Sequence, residues 1–142
     1  MISIRGQFRG GSPKIPTLRG AVIIPRLSKV KVVEFLVDTG ADTTILHPLD
    51  ARQMGIRYHL HFAGIPMGTT WGIGGGSGYW EEMAELQFLH EDLTNYDAIT
   101  LPIQIAAPTR DNSAFPSLLG RDVLQFYRLT CEPARATVLL ER

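Results

Sequence analysis

The sequence predicts an all-β domain: a closed barrel with a glycine-rich hairpin and one short helix near the C-terminus. Three observations predict it. β-branched apolar runs recur at short intervals, as in 20–25 (GAVIIP), 30–37 (VKVVEFLV) and 136–141 (ATVLLE). Strand and helix patterns do not alternate, which argues against a doubly wound sheet. No segment repeats, so the chain carries one copy of whatever it builds. At 142 residues, 44% hydrophobic and 20% charged, it suits a globular domain that buries roughly 68–70% of its unfolded surface.

Each element has a local reason. Residues 1–18, rich in Gly, Pro and Arg, read as a flexible or edge-strand arm, and 19–142 as the domain proper. The polar break RLSK separates the first two strand runs and suits a hairpin. TTIL (43–46) continues as strand. HPLDARQMG (47–55) has Pro48 early and Gly55 late, the punctuation of one or two helical turns. GTTWGIGGGSGYW (68–80) is a glycine loop between two tryptophans, Trp71 and Trp80, placed to anchor a mobile tip. EEMAELQFL (81–89) and DAITLPIQIA (97–106) read as strands, the second at an edge or bulged because Pro102 cannot donate to a ladder. After the loop 107–117, GRDVLQFY (120–127) is the best helix candidate.

Composition excludes several classes of function. The formal net charge is zero, against a general nucleic-acid binder. The charges are uneven, however. Arg5, Arg9, Lys14, Arg19, Arg26, Lys29 and Lys31 precede the first acid, Glu34, and 58–109 contains no Lys or Arg. This reads as a basic arm and an acidic surface, since no aromatic interleaves the bases as a stacking platform. One cysteine, Cys131, permits no internal disulfide and reads as a small buried residue. The N-terminus lacks a secretory pattern, and no apolar run nears the roughly 20 residues of a membrane helix, so a cytoplasmic protein with no membrane partner is expected.

The usual catalytic patterns are missing. His59 and His61 would share a strand face but have no third metal ligand near them, and His90 beside Glu91 and Asp92 reads as a solvated turn. GIGGGSG has neither the spacing nor the following helix of a phosphate loop. Cys131 has no nearby base, and no G-x-S-x-G is present. The exception is EFLVDTGADTTIL (34–46). Asp-Thr-Gly alone is an ordinary turn. Here three apolar residues precede it and Ile45-Leu46 follow, a context that drives the loop inward. An ionised carboxylate isolated there would be costly, so Asp38 needs a partner or a shared proton.

LVDTGADTTIL, with the glycine segment Gly72-Ile73-Gly74-Gly75 and LLGRD (118–122) in that order, resembles the retroviral-type (retropepsin-like) aspartic proteases over 20–141. The resemblance implies a retropepsin-like acid-protease barrel, a glycine-rich flap and an aspartic endopeptidase needing no metal or cofactor. Such chemistry uses two carboxylates on one water, one ionised and one neutral. This chain has one Asp-Thr-Gly, so the second Asp38 must come from another copy: a homodimer with its site on the two-fold axis. By the same resemblance, Thr39 and Gly40 support the loop. Ala41, Asp42, Gly72, Ile73 and Gly74 contact an extended peptide, and Asp42 pairs with Arg121. The flap is richer in glycine and large aromatics than that family leads one to expect, and the loop 107–117 is longer. The alternative is a catalytically silent dimerisation or peptide-binding module of the same fold.

Overall fold

The computed structural model describes residues 1–72 and 75–142. Its strands in chain order are β1 (Ser3–Arg5), β2 (Gln7–Arg9), β3 (Ile15–Ile24), β4 (Lys29–Val37), β5 (Ile45–Leu46), β6 (Gly68–Gly72), β7 (Gly75–Leu89), β8 (Tyr96–Ala106), β9 (Leu118–Leu119), β10 (Arg128–Glu132) and β11 (Thr137–Glu141). Three short helices interrupt them: α1 (Pro48–Gln53), α2 (Tyr58–His61) and α3 (Arg121–Leu124). None of the helices among the described residues is long and apolar enough to cross a membrane.

One sheet runs β2-β3-β4-β9-β5-β8-β7-β6. Its interior closes, because β3 also pairs with β7 through Ala21↔Gln87, Val22↔Leu86 and Ile23↔Glu85. The circuit β3-β4-β9-β5-β8-β7 is therefore a barrel. Strand periodicity fills it: Val33, Phe35 and Val37 of β4 face inward, as do Ala84, Leu86 and Phe88 of β7. Gly20 sits where β3 crosses Phe88; a Cβ there would lie 2.6 Å from the Phe88 ring. Pro102 is paired with Met83 of β7, while β8 meets β5 only at Gln104 and Ile105, so its proline lies on a free edge of β8.

β7 carries an acid at an inward position. Glu82 is buried, and Arg26 answers it with Nε donating to Oε1 at 2.6 Å. Arg26 also donates to the His61 carbonyl (3.1 Å) and stacks over Phe62. Trp80 stacks on Phe62 at 4.8 Å and on Tyr58 at 5.6 Å. Burial pushes the Tyr58 hydroxyl up to about 12. Of the two expected tryptophan anchors, only Trp80 is buried; Trp71 is exposed. His59 and His61 lie on α2, not on a strand, and His61 Nδ1 accepts from the Arg57 N–H at 2.9 Å.

The basic arm is not a loose tail. Arg9 makes two bonds to Glu34 (2.7 and 3.2 Å), and Arg5 pairs with Glu91 at 2.9 Å. These exposed pairs are worth little singly; the arm is fixed by its backbone. β2 pairs with β3, and β1 joins a second sheet, β1-β11-β10. Ile4, Val138 and Leu140 of that sheet are buried. GRDVLQFY supplies a helix of only four residues, since Arg128 already begins β10. Cys131, expected inside, is exposed because β10 is the outer strand.

His90 is likewise not in a solvated turn. Its Nε2 lies 2.8 Å from Oδ1 of buried Asp97, which also accepts from Tyr127 Oη (2.6 Å) and from Arg142 Nε and Nη2 (2.9 and 2.7 Å). This cluster ties the β7–β8 turn to one end of the second sheet, where β10 begins and β11 ends. The Arg142 guanidinium, then the Tyr127 and His90 bonds, hold the Asp97 carboxyl far below its ordinary value of 3.8, against the opposing effect of burial. Its contribution to stability is therefore complete well above pH 3.8 and is lost as pH falls from there toward the folded value. Asp97→Asn is expected to cost about 2 kcal/mol at neutral pH. Urea unfolding of both proteins across pH should show that difference narrowing below about pH 4.

Candidate active site

Strand β4 delivers Val37 into the core and then leaves the barrel, so Asp38 begins a loop instead of continuing a face. Three hydrogen bonds shape the turn. The Asp38 N–H donates to Leu119 O (3.0 Å), the Ala41 N–H to Asp38 O (3.2 Å), and the Gly40 N–H to Asp38 Oδ1 (2.9 Å). The last of these fixes the carboxylate itself. The loop is not driven into the interior of the single chain: Asp38 is half-buried, and Thr39 and Gly40 are exposed. Inward alternation stops at Val37, and the turn lies at the barrel's mouth.

A second segment holds this loop. β9 runs parallel to β4, with Leu36↔Leu118 and Val37↔Leu119, and antiparallel to β5 at Ile45. Beyond β9 the chain grips the loop by its backbone: Arg121 N–H donates to Ala41 O (2.8 Å) and Asp122 N–H to Asp42 O (3.2 Å). Inside the grip, Thr44 is fully buried. Its Oγ1 donates to Asp122 Oδ1 (2.7 Å) and accepts from the Gly120 N–H (3.1 Å). Its N–H donates to Asp122 Oδ2 (2.9 Å). Every polar group in this knot has a partner.

Gly120 is required there for space. A Cβ would lie 2.6 Å from Thr43 C, 2.7 Å from Thr43 O and 3.0 Å from Ala41 O, all backbone atoms that cannot swing away. On the outer side, Arg121 Nη2 pairs with Asp42 Oδ1, with both side chains largely exposed. That exposure makes the pair a weak restraint beside the buried Thr44 knot.

Across the mouth, β6 and β7 form a hairpin with Gly68↔Tyr79, Trp71↔Gly76 and Gly72↔Gly75 in register. Gly72 ends β6; Ile73 and Gly74, the expected flap tip, lie outside the described residues. Below the hairpin is a pocket of about 480 Å³, lined by Ile45, His47, Thr70, Gln104, Asn112 and Phe115 among others. Thr70 Oγ1 and Gln104 Oε1 meet across it at 2.8 Å. His47 meets Phe115 edge-on at 5.6 Å, with Nδ1 2.6 Å from Pro116 O. Burial holds the His47 imidazole below its ordinary value, favouring the neutral ring. Ser117 ties His47 to α1: its Oγ accepts from the His47 N–H (3.0 Å) and donates to Asp50 Oδ2 (2.7 Å).

The structure thus brings Asp38, Thr39, Gly40, Ala41, Asp42 and Arg121 into one loop pair, with Gly72 on the separate hairpin. Thr44, Gly120, Asp122 and His47 were not singled out by sequence reasoning. The first three lay inside the two motifs, but nothing in a sequence tells a buried hydroxyl from an exposed one.

No protein-family model matches the sequence, and no curated protein matches it. Solved structures do. A retropepsin-like aspartic protease from Rickettsia conorii has a TM-score of 0.57 at 15% identity, covering 97% of this chain and 89% of that one. EIAV protease complexed with the inhibitor HBY-793 has a TM-score of 0.47 at 19% identity, covering 83% and 92%. The barrel, the bonded loop pair after β4 and β9, and the Rickettsia structure define the class: this chain has a retropepsin-like fold.

Thr44→Val should leave an Asp122 oxygen and the Gly120 N–H without partners, at a cost of about 2–4 kcal/mol, whereas Thr44→Ser should stay within about 1 kcal/mol of the parent. Gly120→Ala should cost about 2 kcal/mol or more by overpacking against backbone. Urea denaturation of the three variants checks both.

Proposed function

We propose that this chain is an aspartic endopeptidase that works as a homodimer, with the two Asp38 side chains sharing one water. The observation that carries the reading is the placement of Asp38. Its carboxylate is pinned by the Gly40 N–H in a loop locked from behind, yet the residue is only half-buried at the barrel's mouth. A rigid half-exposed acid with one such loop per chain is half of a two-carboxylate site.

The chemistry follows from pairing it. Two carboxylates about 3 Å apart cannot both ionise, so the pair holds one proton and titrates in two steps that belong to the pair. The ionised Asp38 takes a proton from the water as it attacks the peptide carbonyl. The neutral Asp38 of the other copy donates to the carbonyl oxygen. The Asp38 that took the water proton then gives it to the leaving amine as the C–N bond breaks, while the other Asp38 takes back the hydroxyl proton of the tetrahedral intermediate, so the pair again holds one proton, on the same carboxylate as at the start.

The remaining residues have positioning roles in this reading. Thr39, exposed beside Asp38, bonds across the two-fold axis, and Gly40 lets backbone approach the substrate closely. Ala41 and Asp42 face an extended peptide, with Arg121 restraining Asp42. Gly72, Ile73 and Gly74 close over the peptide and exclude water. The peptide adds as a strand, bound through its main chain, and the pocket beside Ile45 and His47 takes one of its alternating side chains.

Cleavage of a mixed peptide library at about pH 4–7 tests this, with Asp38→Asn in parallel. The wild type should cut best in acid, with a rate rising faster than linearly at low enzyme concentration. Asp38→Asn should lose about 100- to 10,000-fold. A dimer that cuts nothing, or a variant that cuts equally well, would leave the fold as a peptide-binding or dimerisation module.

A further inference from the structure

We propose that the pocket beside Ile45 and His47 selects a basic side chain, so that the peptides this chain cuts carry an arginine or lysine there, held by Asp111. This rests on the protease reading above, which puts a substrate side chain in that pocket without saying of which kind.

Asp111 is the only formally charged residue lining the pocket among those described. No described residue forms an ion pair with it. Its neighbour Asn112 holds the loop in place. The Asn112 side chain is buried and spends both ends on the loop itself: Oδ1 accepts from the Thr109 N–H (2.8 Å), and Nδ2 donates to the Ala107 carbonyl (2.9 Å). The Asn112 N–H reaches back to Thr109 Oγ1 at 3.2 Å. The loop therefore closes on itself with Asp111 on the pocket wall. No cation competes for that acid. Residues 58–109, which supply β6, β7 and β8, contain no Lys or Arg, and Arg110 is exposed and outside the lining.

The other polar groups suit the same guest. The Pro116 carbonyl can only accept, so His47 Nδ1, 2.6 Å away, carries the ring proton. The neutral ring then leaves Nε2 as an acceptor, with no protein partner among the described residues. Thr70 spends its proton on Gln104 Oε1 and keeps its lone pairs. Between these groups lie the apolar surfaces of Ile45, Ala106 and Phe115. An arginine or lysine matches this layout, with an apolar stem along those surfaces and a donor-only cationic head at Asp111. An aliphatic side chain would strip water from Asp111 and His47 without replacing its hydrogen bonds. An acidic one would set two carboxylates together. At about 480 Å³ the pocket has room for a long side chain.

Matched peptides carrying Arg, Lys, Gln, Leu or Glu at one position, with that position walked across the cut site, test the choice. Two copies bring two such pockets, so the preference should recur at a matching position on each side of the cut bond. The wild type should favour Arg or Lys over Leu by about tenfold in kcat/KM, and over Glu by about a hundredfold. Asp111→Asn should bring Arg and Gln within about threefold of each other, and Asp111→Lys should place Glu first. The ratios separate lost recognition from a damaged loop, which would slow all five peptides alike. Fluorescence anisotropy of the same peptides on Asp38→Asn reads the pocket without cleavage. Cleavage with no basic preference at any position, or an Asp111→Lys variant that keeps the wild-type order, would overturn the assignment and leave the protease reading standing. Peptides that bind in the Arg-first order but are never cut would keep the assignment and sink the protease reading. Peptides neither bound nor cut would overturn both.

Discussion

The hydroxyl of Thr44 is the point on which the candidate site depends. It donates to Asp122 and accepts from the Gly120 backbone, and so joins the loop after β4 to the segment after β9. Both segments leave the barrel side by side in parallel, a geometry that exposes loop backbone without a ladder to satisfy it. Thr44 and Asp122 supply the missing partners from side chains. A buried polar knot of this kind is stable only when complete, because any unpaired member carries its full desolvation cost. Complete, it is rigid, and it turns a strand ending in acid into a loop that holds Asp38 in one place. Gly120 is part of the same constraint, since any side chain there would push the two segments apart.

A second polar knot performs the corresponding task at the other end of the barrel. Asp97 gathers His90, Tyr127 and Arg142 and thereby fastens the small sheet to the β7–β8 turn. The Tyr127 hydroxyl, pushed up by burial and by the adjacent Asp97 carboxylate, stays a donor across any ordinary pH. A domain whose proposed chemistry belongs to the acid range benefits from a carboxylate clamp that remains ionised there. The two knots divide the labour: one shapes the Asp38 loop, the other fixes the sheet from which β10 presents its open edge.

Charge is arranged on the same principle of local pairing. Three of the N-terminal bases are matched nearby, Arg9 and Arg19 by Glu34 and Arg5 by Glu91. Arg26 crosses to the acidic region and neutralises Glu82 beneath the aromatic stack of Phe62 and Trp80. What looks in the sequence like segregation of charge becomes pairing once β3 and β4 are laid beside each other.

Alternation of β-branched residues was enough to predict the barrel strands, and the motif around Asp38 was enough to predict the loop, because both are local patterns of a few residues. Helix α1 was legible for the same reason: Pro48 and Gly55, the latter at φ +87, punctuate it whatever surrounds them. The misread elements all depended on distant partners. His90 and Cys131 have ordinary neighbours in the chain; one is enclosed by Asp97 and Arg142, while the other is exposed because β10 is the outer strand of its sheet. The sequence by itself determined which residues could be strand, and it singled out Asp38 as the candidate acid. Only the tertiary structure decided that this acid is only half-buried, that Thr44 anchors its loop and that β10 is the free edge of its sheet, because burial and pairing are set by segments far apart in the chain.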